Sequence, residues 1–209
     1  MIVERLAAPP MVTEIVAGAI DALLPARPRR RRPRSVAPIP LYHADARALL
    51  DGAGFSALTP VGWRTIVLDG KTASFLDVEG LDAPRFARRT TGAAVDRFIE
   101  AAALADPARD EAAAYELRIV ESLCLKVAAL WLAGQADRFL PYSGLSMEPL
   151  PAGEFLRQLR DRALRQRDAF ERAEARIRAE TAGDRSAPES RGGGRRPPLF
   201  NENQEGDEE

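Results

Sequence analysis

Two side chains of the sequence could serve nucleophilic catalysis, and each is the only one of its kind. His43 is the single histidine and Cys124 the single cysteine. A catalytic thiol or hydroxyl of the usual kind needs a base beside it, so His43 would have to activate Cys124 or a serine. Asp45, in the triplet His-Ala-Asp, could orient the imidazole. Cys124, however, lies in a largely apolar stretch, where a thiol normally acts as an inert core group.

Metal and cofactor sites are also not indicated. One histidine and one cysteine are too few for a zinc site within one chain. Gly70-Lys71-Thr72 is superficially similar to a phosphate-binding loop, but that loop needs a glycine five residues earlier, where Thr65 stands. A hairpin turn is the preferred interpretation. We therefore predict no catalytic, cofactor-binding or metal-ligating residues and no cofactor, and an enzyme built on His43, Asp45 or Cys124 is the least favoured of three hypotheses.

An arginine-rich arm could contact nucleic acid. Its six arginines are Arg27, Arg29, Arg30, Arg31, Arg32 and Arg34. They could neutralise several phosphates and give binding that weakens as salt rises. Five prolines between residues 25 and 40 favour a stiff spacer instead, and no aromatic residue is interleaved to stack on bases. Nucleic-acid association through this arm is the alternative function.

Apolar stripes at helical spacing predict two docking segments. An amphipathic helix within residues 11–24 would present Ile15, Ile20 and Leu23 to a partner. A long helix over residues 154–180 carries a stripe whose steps alternate between three and four residues. Its later members, Phe170 and Ile177, suit either the core or a coiled-coil seam with another protein or a second copy.

Composition and charge place the protein in a broad class. The chain has 209 residues, a hydrophobic fraction of 45%, a charged fraction of 29% and a net charge of -1. These values are typical of a chain with a packed core. The apolar segment at residues 12–24 contains two acids and is shorter than a membrane-spanning helix, which needs about 20 residues. The single cysteine suggests a reducing compartment, so we expect a cytoplasmic protein without a membrane span.

The order of composition along the chain predicts five segments. They are an amphipathic docking segment (1–24), an Arg/Pro-rich linker (25–40), an α+β core domain (41–150), an amphipathic helix (151–180) and a disordered tail (181–209). The predicted fold class is α+β, with a small antiparallel sheet of four or five strands packed on helices, a long C-terminal helix and disordered termini.

Three regions of the sequence predict the helices and strands of the core. Alternation around Asp69-Gly70 predicts a hairpin between residues 62 and 78. Residues 91–106 have the spacing of a helix with a buried stripe. Residues 115–132 fit either two strands or a helix, and we prefer two strands because the run is apolar on nearly every side.

These features favour binding over catalysis. Our leading hypothesis is a non-catalytic protein-protein interaction module, an adaptor or assembly component that docks through its terminal segments. The predicted partner-binding residues are those of the two docking helices: Ile15, Ile20, Leu23, Phe170 and Ile177.

Overall fold

The computed structural model describes residues 2–4, 7–24, 32–105 and 114–184. The chain divides into two units, residues 1–169 and residues 170–209. Most of the predicted disordered tail and residues 25–31 of the predicted linker lie outside the described residues.

One mixed sheet dominates the first unit. Its ten described strands are β1 (Ile2–Glu4), β2 (Arg34–Ser35), β3 (Ile39–Ala44), β4 (Leu58–Asp69), β5 (Thr72–Glu79), β6 (Arg85–Thr91), β7 (Ala114–Ser122), β8 (Val127–Ala133), β9 (Arg138–Ser143) and β10 (Leu150–Pro151). The order across the sheet is β10-β9-β8-β7-β3-β4-β5-β6, with β1 paired to β7 and β2 to β4. The helices are α1 (Pro10–Leu23), α2 (Ala46–Leu50), α3 (Ala93–Ala105) and α4 (Ala152–Asp184), and a 3₁₀ turn covers Gly54–Ala57.

The broad α+β class and the long C-terminal helix are confirmed, but the prediction of a small antiparallel sheet is wrong. The sheet has twice the expected number of strands, and β3 runs parallel to β7, with Leu41 opposite Ile119. Strands β1 and β7 are also parallel. Local sequence patterns indicate pairing between strands that follow one another along the chain, and such pairs are antiparallel. Strands β3 and β7 are instead separated by a long stretch of sequence, so their parallel pairing leaves no local pattern.

The sheet consists of two halves, each made of four strands followed by a helix, and the first half also has α2 and the 3₁₀ turn between its first two strands. In the first, β3 to β6 form an antiparallel meander that is followed by α3. In the second, β7 to β10 form an antiparallel meander that is followed by α4. The first strands of the two halves meet at the centre of the sheet, so each meander extends outward from the parallel β3–β7 pair.

The predicted hairpin is present, with a turn displaced by one residue. Asp69 pairs with Thr72, so Gly70 and Lys71 form the two-residue loop. Of these two residues only Gly70 has a positive φ, +62°. A glycine at the first central position is the pattern of a type II′ turn, rather than the type I′ turn that Asp-Gly suggests.

The preferred two-strand interpretation of residues 115–132 is confirmed by β7 and β8. Strand β8 is buried at six of its seven positions because both faces of the sheet are covered there. Strand β6, in contrast, was not predicted. Its residues are mostly exposed and include three arginines, so it lacks the apolar pattern by which strands are recognised.

Strand alternation divides the core between the two faces of the sheet. On one face, here called the α3 face, Ile66, Phe75 and Leu130 pack with Val95 and Phe98 of α3. The opposite face has two clusters, one beneath α1 and one beneath the first half of α4. The α4 cluster includes Val120, Trp131, Phe139, Phe155, Leu159 and Ala163.

Helix α1 belongs to the packed domain. Val12 and Val16 are 0% and 5% exposed and pack against Trp63, Val67 and Leu76. The expectation that residues 1–24 stand apart from a core beginning near residue 41 is therefore corrected. The covered stripe of α1 is apolar because it faces the β4–β5 hairpin, which the sequence pattern alone did not identify as its partner.

Candidate functional site

Four charged side chains form one ion-pair network on the α3 face. The Nε and Nη2 of Arg64 donate to the two carboxylate oxygens of Asp77, each at 2.7 Å. The Nη1 of Arg64 donates to Glu121 and, at 3.1 Å, to the hydroxyl of Tyr142. Arg64 and Asp77 are each only 1% exposed, so both charges are held away from water.

Arg88 closes the network from the edge of the sheet. Its Nε donates to Asp77 Oδ2 at 2.8 Å and its Nη2 to Glu121 Oε2 at 3.0 Å. The side chain is 42% exposed and the side chain of Glu121 15% exposed. Two guanidinium groups and two carboxylates therefore balance each other, with one pair buried and the other reaching solvent.

Strand register brings these groups together. Arg64 of β4 is opposite Asp77 of β5, and Asp77 is opposite Arg88 of β6. Residues opposite one another on neighbouring strands point to the same face, so the three side chains form a row across the sheet. The guanidinium of Arg64 also lies 4.5 Å from the ring centroid of Phe75, which packs beneath it.

Burial and hydrogen bonding set the protonation states. Burial alone would lower the pKa of Arg64. The hydrogen bond to Asp77 and the charge of Glu121 raise this pKa by more than burial lowers it, so the net pKa lies above its ordinary value. The hydrogen bond to Asp77 likewise raises the pKa of Arg88. Burial raises the pKa of the Tyr142 phenol. Both arginines thus stay charged, and Tyr142 stays protonated while its oxygen accepts from Arg64.

Two cavities flank the Arg88–Glu121 pair. The larger, of about 340 Å³, is lined by Leu41, Tyr42, His43, Val61, Glu79, Gly80, Arg85, Arg88, Glu121 and Leu123. The other, of about 260 Å³, extends past Tyr142 toward Ala94 at the start of α3. The larger cavity is lined by apolar side chains together with two arginines and two glutamates, which suits an occupant with mixed polarity and no strong net charge. The smaller one is lined by Arg64, Arg88 and Lys126 and by one acid, Glu121.

The structure does not assemble the catalytic arrangement that His43, Asp45 and Cys124 would need. His43 lines the larger cavity, and its Nε2 makes no hydrogen bond within the described part of the chain. Asp45 instead caps α2 by accepting from the backbone N–H groups of Arg47 and Ala48. Cys124 lies in the β7–β8 turn and lines a different cavity.

Cys124 is also exposed, which corrects its predicted place in the apolar core. Its Sγ lies 3.4 Å from the hydroxyl of Ser122. The apolar run that suggested burial is interrupted by the turn between β7 and β8, in which Leu123, Cys124 and Lys126 are exposed and Leu125 is buried.

The predicted docking residues fall into two groups. Ile15 and Ile20 are partly buried against the cluster beneath α1, so their contacts lie within the domain and the prediction of a free docking surface is corrected for them. Leu23 is 41% exposed, Phe170 69% and Ile177 62%. These three remain accessible to a partner.

Only part of the arginine arm is described. Arg27, Arg29, Arg30 and Arg31 lie outside the described residues. Arg32 and Arg34 are exposed, and Arg34 belongs to β2, where it is opposite Leu68 of β4. The last part of the arm is therefore attached to the sheet.

The ion-pair network was missed from the sequence, although a signal for it exists. Arg64 and Asp77 each interrupt an apolar strand-like run, next to Trp63 and Val78 respectively. Charged residues are almost never fully buried without a partner, so two opposite charges in the two arms of one hairpin indicate a buried pair. Glu121 and Tyr142 carry no such signal, because their strands join the network only through the central β3–β7 pairing.

Within residues 2–4, 7–24, 32–105 and 114–184, no three or more histidine, cysteine or acidic side chains group as a metal site would require. Over the same residues, no helix combines the length and apolar character needed to cross a membrane. Comparison of the chain with protein-family models, curated proteins and solved structures found no match.

Proposed function

We propose that this protein is a non-catalytic protein-protein interaction module that docks through the second half of α4. The observation that carries the proposal is the exposure of Phe170, a large aromatic side chain 69% accessible to solvent on a helix. Exposed aromatic residues are enriched at protein interfaces, where they fill pockets of the partner.

The position of Phe170 continues the apolar stripe of α4. Leu159 and Ala163 belong to that stripe and are 0% and 3% exposed. Phe170 follows Ala163 by seven residues, a spacing that keeps side chains on nearly the same side of a helix. Ile177 follows by a further seven and is 62% exposed. The spacing that buries the first half of α4 thus presents apolar groups in the second.

Charged side chains on the second half of α4 form ion pairs within the helix itself. Arg178 pairs with Glu174 four residues earlier, at 3.5 Å. Arg167 pairs with Asp168 at 3.1 Å. A pair with a spacing of four residues, such as Glu174 and Arg178, stabilises an exposed helix by a small amount. The partner that fits is an amphipathic helix, from another protein or from a second copy, whose apolar side chains leave a gap that accepts the ring of Phe170.

The test compares two exposed positions on the same helix. Phe170→Asp places a charge in the stripe, whereas Ala175→Asp places the same charge at an exposed position outside it. Full-length wild type and both variants are used as bait, with proteins quantified by mass spectrometry. We expect a partner recovered equally by wild type and Ala175→Asp and reduced at least about tenfold by Phe170→Asp.

Sedimentation velocity of the same three proteins tests a second copy as the partner. A dimer that dissociates in Phe170→Asp but not in Ala175→Asp supports the proposal. A monomer at all concentrations, with no protein recovered in the predicted pattern, contradicts it.

Nucleic-acid association is a second candidate, favoured by the state of Arg32 and Arg34. Both are exposed, and neither forms an ion pair with a described residue. Binding through the arm predicts that affinity for a nucleic-acid duplex falls steeply with salt and is lost when the six arm arginines are replaced by glutamine. Affinity that is unchanged by this replacement excludes the arm as the contact.

A further inference from the structure

The turn between β7 and β8 forms a third cavity, with α4, on the face of the sheet opposite α3. The cavity measures about 400 Å³ and is lined by Cys124, Leu125, Lys126, Arg162, Arg165 and Gln166. Three of these six residues are cations and none is an acid. The larger cavity on the α3 face, in contrast, has Arg85 and Arg88 together with Glu79 and Glu121. Lys126 also lines the smaller cavity on that face, where Glu121 is the acid.

Among the residues that the structure describes, none forms an ion pair with the cations of this cavity. Arg162 donates from Nη1 to the backbone carbonyl of Gly144, which carries no net charge. The side chains of Lys126 and Arg165 form no hydrogen bond or ion pair with the residues that the structure describes. Arg157, one turn earlier on α4, pairs instead with Glu154 and Asp161. Positive charge is thus concentrated at the cavity.

Lys126 adopts a left-handed backbone conformation, which residues other than glycine adopt only at a cost in energy. Its φ is +54°, the one positive value of a described residue other than glycine. The N–H of Lys126 donates to the carbonyl of Leu123 at 3.2 Å, which closes the turn. A side chain in this left-handed conformation costs about 1 kcal/mol or more, and glycine would avoid that cost. Such strain is often found at functional sites.

Gly144 positions the other side of the cavity. A Cβ at this residue would lie 2.2 Å from the carbonyl oxygen of Lys126, so the two backbones approach too closely for any side chain. The carbonyl of Gly144 accepts from Arg162 in turn. The turn and the helix are thereby fixed relative to each other, which preorganises the cations.

We propose that this cavity binds a compact phosphate-bearing anion. The ammonium of Lys126 and the guanidinium groups of Arg162 and Arg165 would donate to phosphate oxygens, and the amide of Gln166 offers a further donor. Guanidinium and phosphate form charge-assisted hydrogen bonds in bidentate geometry. A small anion fits better than a nucleic-acid strand, because Glu154 and Asp161 end the positive region along α4.

The single cysteine is a built-in reporter, since Cys124 lines the cavity. Full-length protein is alkylated with neutral iodoacetamide in sodium phosphate, pyrophosphate or glycerol phosphate, and in sodium chloride of equal ionic strength. We expect saturable protection of Cys124 by at least one phosphate compound but not by chloride. Protection by inorganic phosphate identifies the free ion as a ligand, and protection by glycerol phosphate alone identifies a phosphate ester.

Three variants separate binding from folding. Lys126→Gly removes the charge and relieves the positive φ, so it is expected to fold at least as well as wild type. Arg165→Gln removes a second charge at an exposed position, and Arg160→Gln is the matched control on the same helix outside the cavity. By isothermal titration calorimetry, the first two should each weaken binding about tenfold, while the control leaves it unchanged.

Equal alkylation rates in phosphate compounds and chloride, with no heat of binding, overturn the proposal. Equal weakening by Arg160→Gln also overturns it, because binding would then depend on overall charge. Protection by an oligonucleotide but by none of the three phosphate compounds would assign the surface to nucleic acid instead.

Discussion

At the scale of single residues, Arg64 and Tyr142 show how a polar group is accommodated in the core. Bringing a charge out of water costs several kcal/mol unless its hydrogen-bonding capacity is met. Arg64 meets it with Asp77, Glu121 and the Tyr142 hydroxyl. The hydroxyl can accept from Arg64 and remain neutral only while the phenol keeps its proton. Stability of the domain is therefore linked to this proton.

The first prediction concerns the alkaline limit of stability. The folded pKa of Tyr142 is raised by burial, so its contribution is fully present below the unfolded value of about 10 and is lost as pH rises above it. Urea unfolding between pH 8 and 11.5 should show that wild type loses stability more steeply than Tyr142→Phe. The extra slope should approach about 1.4 kcal/mol per pH unit. Parallel curves for the two proteins would disprove the linkage.

The sequence indicated individual residues better than their groupings. Asp45 caps α2, a role that depends only on its position directly before Ala46 and is therefore local information. The ion-pair network was not identified, because Glu121 approaches Arg64 through strands that are distant in the sequence. The Lys126 cavity was missed for the same reason, since it joins a turn to a helix about 40 residues later.

At the scale of elements, α4 is one helix with two different environments. Its first half contributes Phe155 and Leu159 to the core, where the ring of Phe155 stacks on Phe139 with centroids 4.1 Å apart. Its second half carries the exposed Phe170. Residues of similar type along the same stripe should thus contribute very differently to folding.

The second prediction measures this difference. Leu159→Ala removes a completely buried side chain and should lower the free energy of unfolding by about 3 kcal/mol or more. Phe170→Ala should change it by no more than about 0.5 kcal/mol in the isolated protein. Urea titrations of the three proteins give both values. A large effect of Phe170→Ala would mean that its side chain packs within the monomer, and would weaken the proposed docking role.

Helices and strands could be predicted from the sequence where burial gives their residues a regular apolar pattern. Strands β7 and β8 were preferred over a helix because a helix apolar on all sides would need complete burial, and β8 is indeed covered on both faces. Strand β6 was missed because Arg85, Arg88 and Arg89 give it a solvent-exposed character. Its pairing with β5 depends on backbone hydrogen bonds, to which hydrophobic periodicity is insensitive.

At the scale of the whole molecule, the sheet needs helices on both faces. Strands β4 and β5 direct Trp63, Val67 and Leu76 away from α3, and α1 covers them. Because α1 precedes the linker, the beginning of the chain completes the core of the first meander. Helix α1 is therefore part of the folding unit.

The third prediction tests this role of α1. Val16→Asp places a charge beneath the helix, whereas Ala17→Asp places it on the exposed side. We expect the buried substitution to lower the free energy of unfolding by about 3 kcal/mol or more, because it loses apolar burial and buries an unpaired carboxylate. It should also increase binding of a hydrophobic dye. If both variants are equally stable, α1 does not form part of the core.

The global topology was beyond reach of local patterns. A meander can be predicted from turns, as the β4–β5 hairpin was, but the parallel pairing of β3 with β7 joins segments about 78 residues apart. Its register is set by apolar side chains on both faces, and many registers satisfy such a pattern. The number of strands and the mixed character of the sheet follow from this one contact.

Open sheets risk aggregation at their outermost strands, and both ends of this sheet resist it. Arg85, Arg88 and Arg89 on β6 would bring like charges together if two copies paired along that edge. At the other end, β10 has only two residues and includes Pro151, so it offers little backbone for a further strand. Arg88 has a double effect, since the side chain that neutralises Asp77 inside the domain also discourages fibril-like growth outside it.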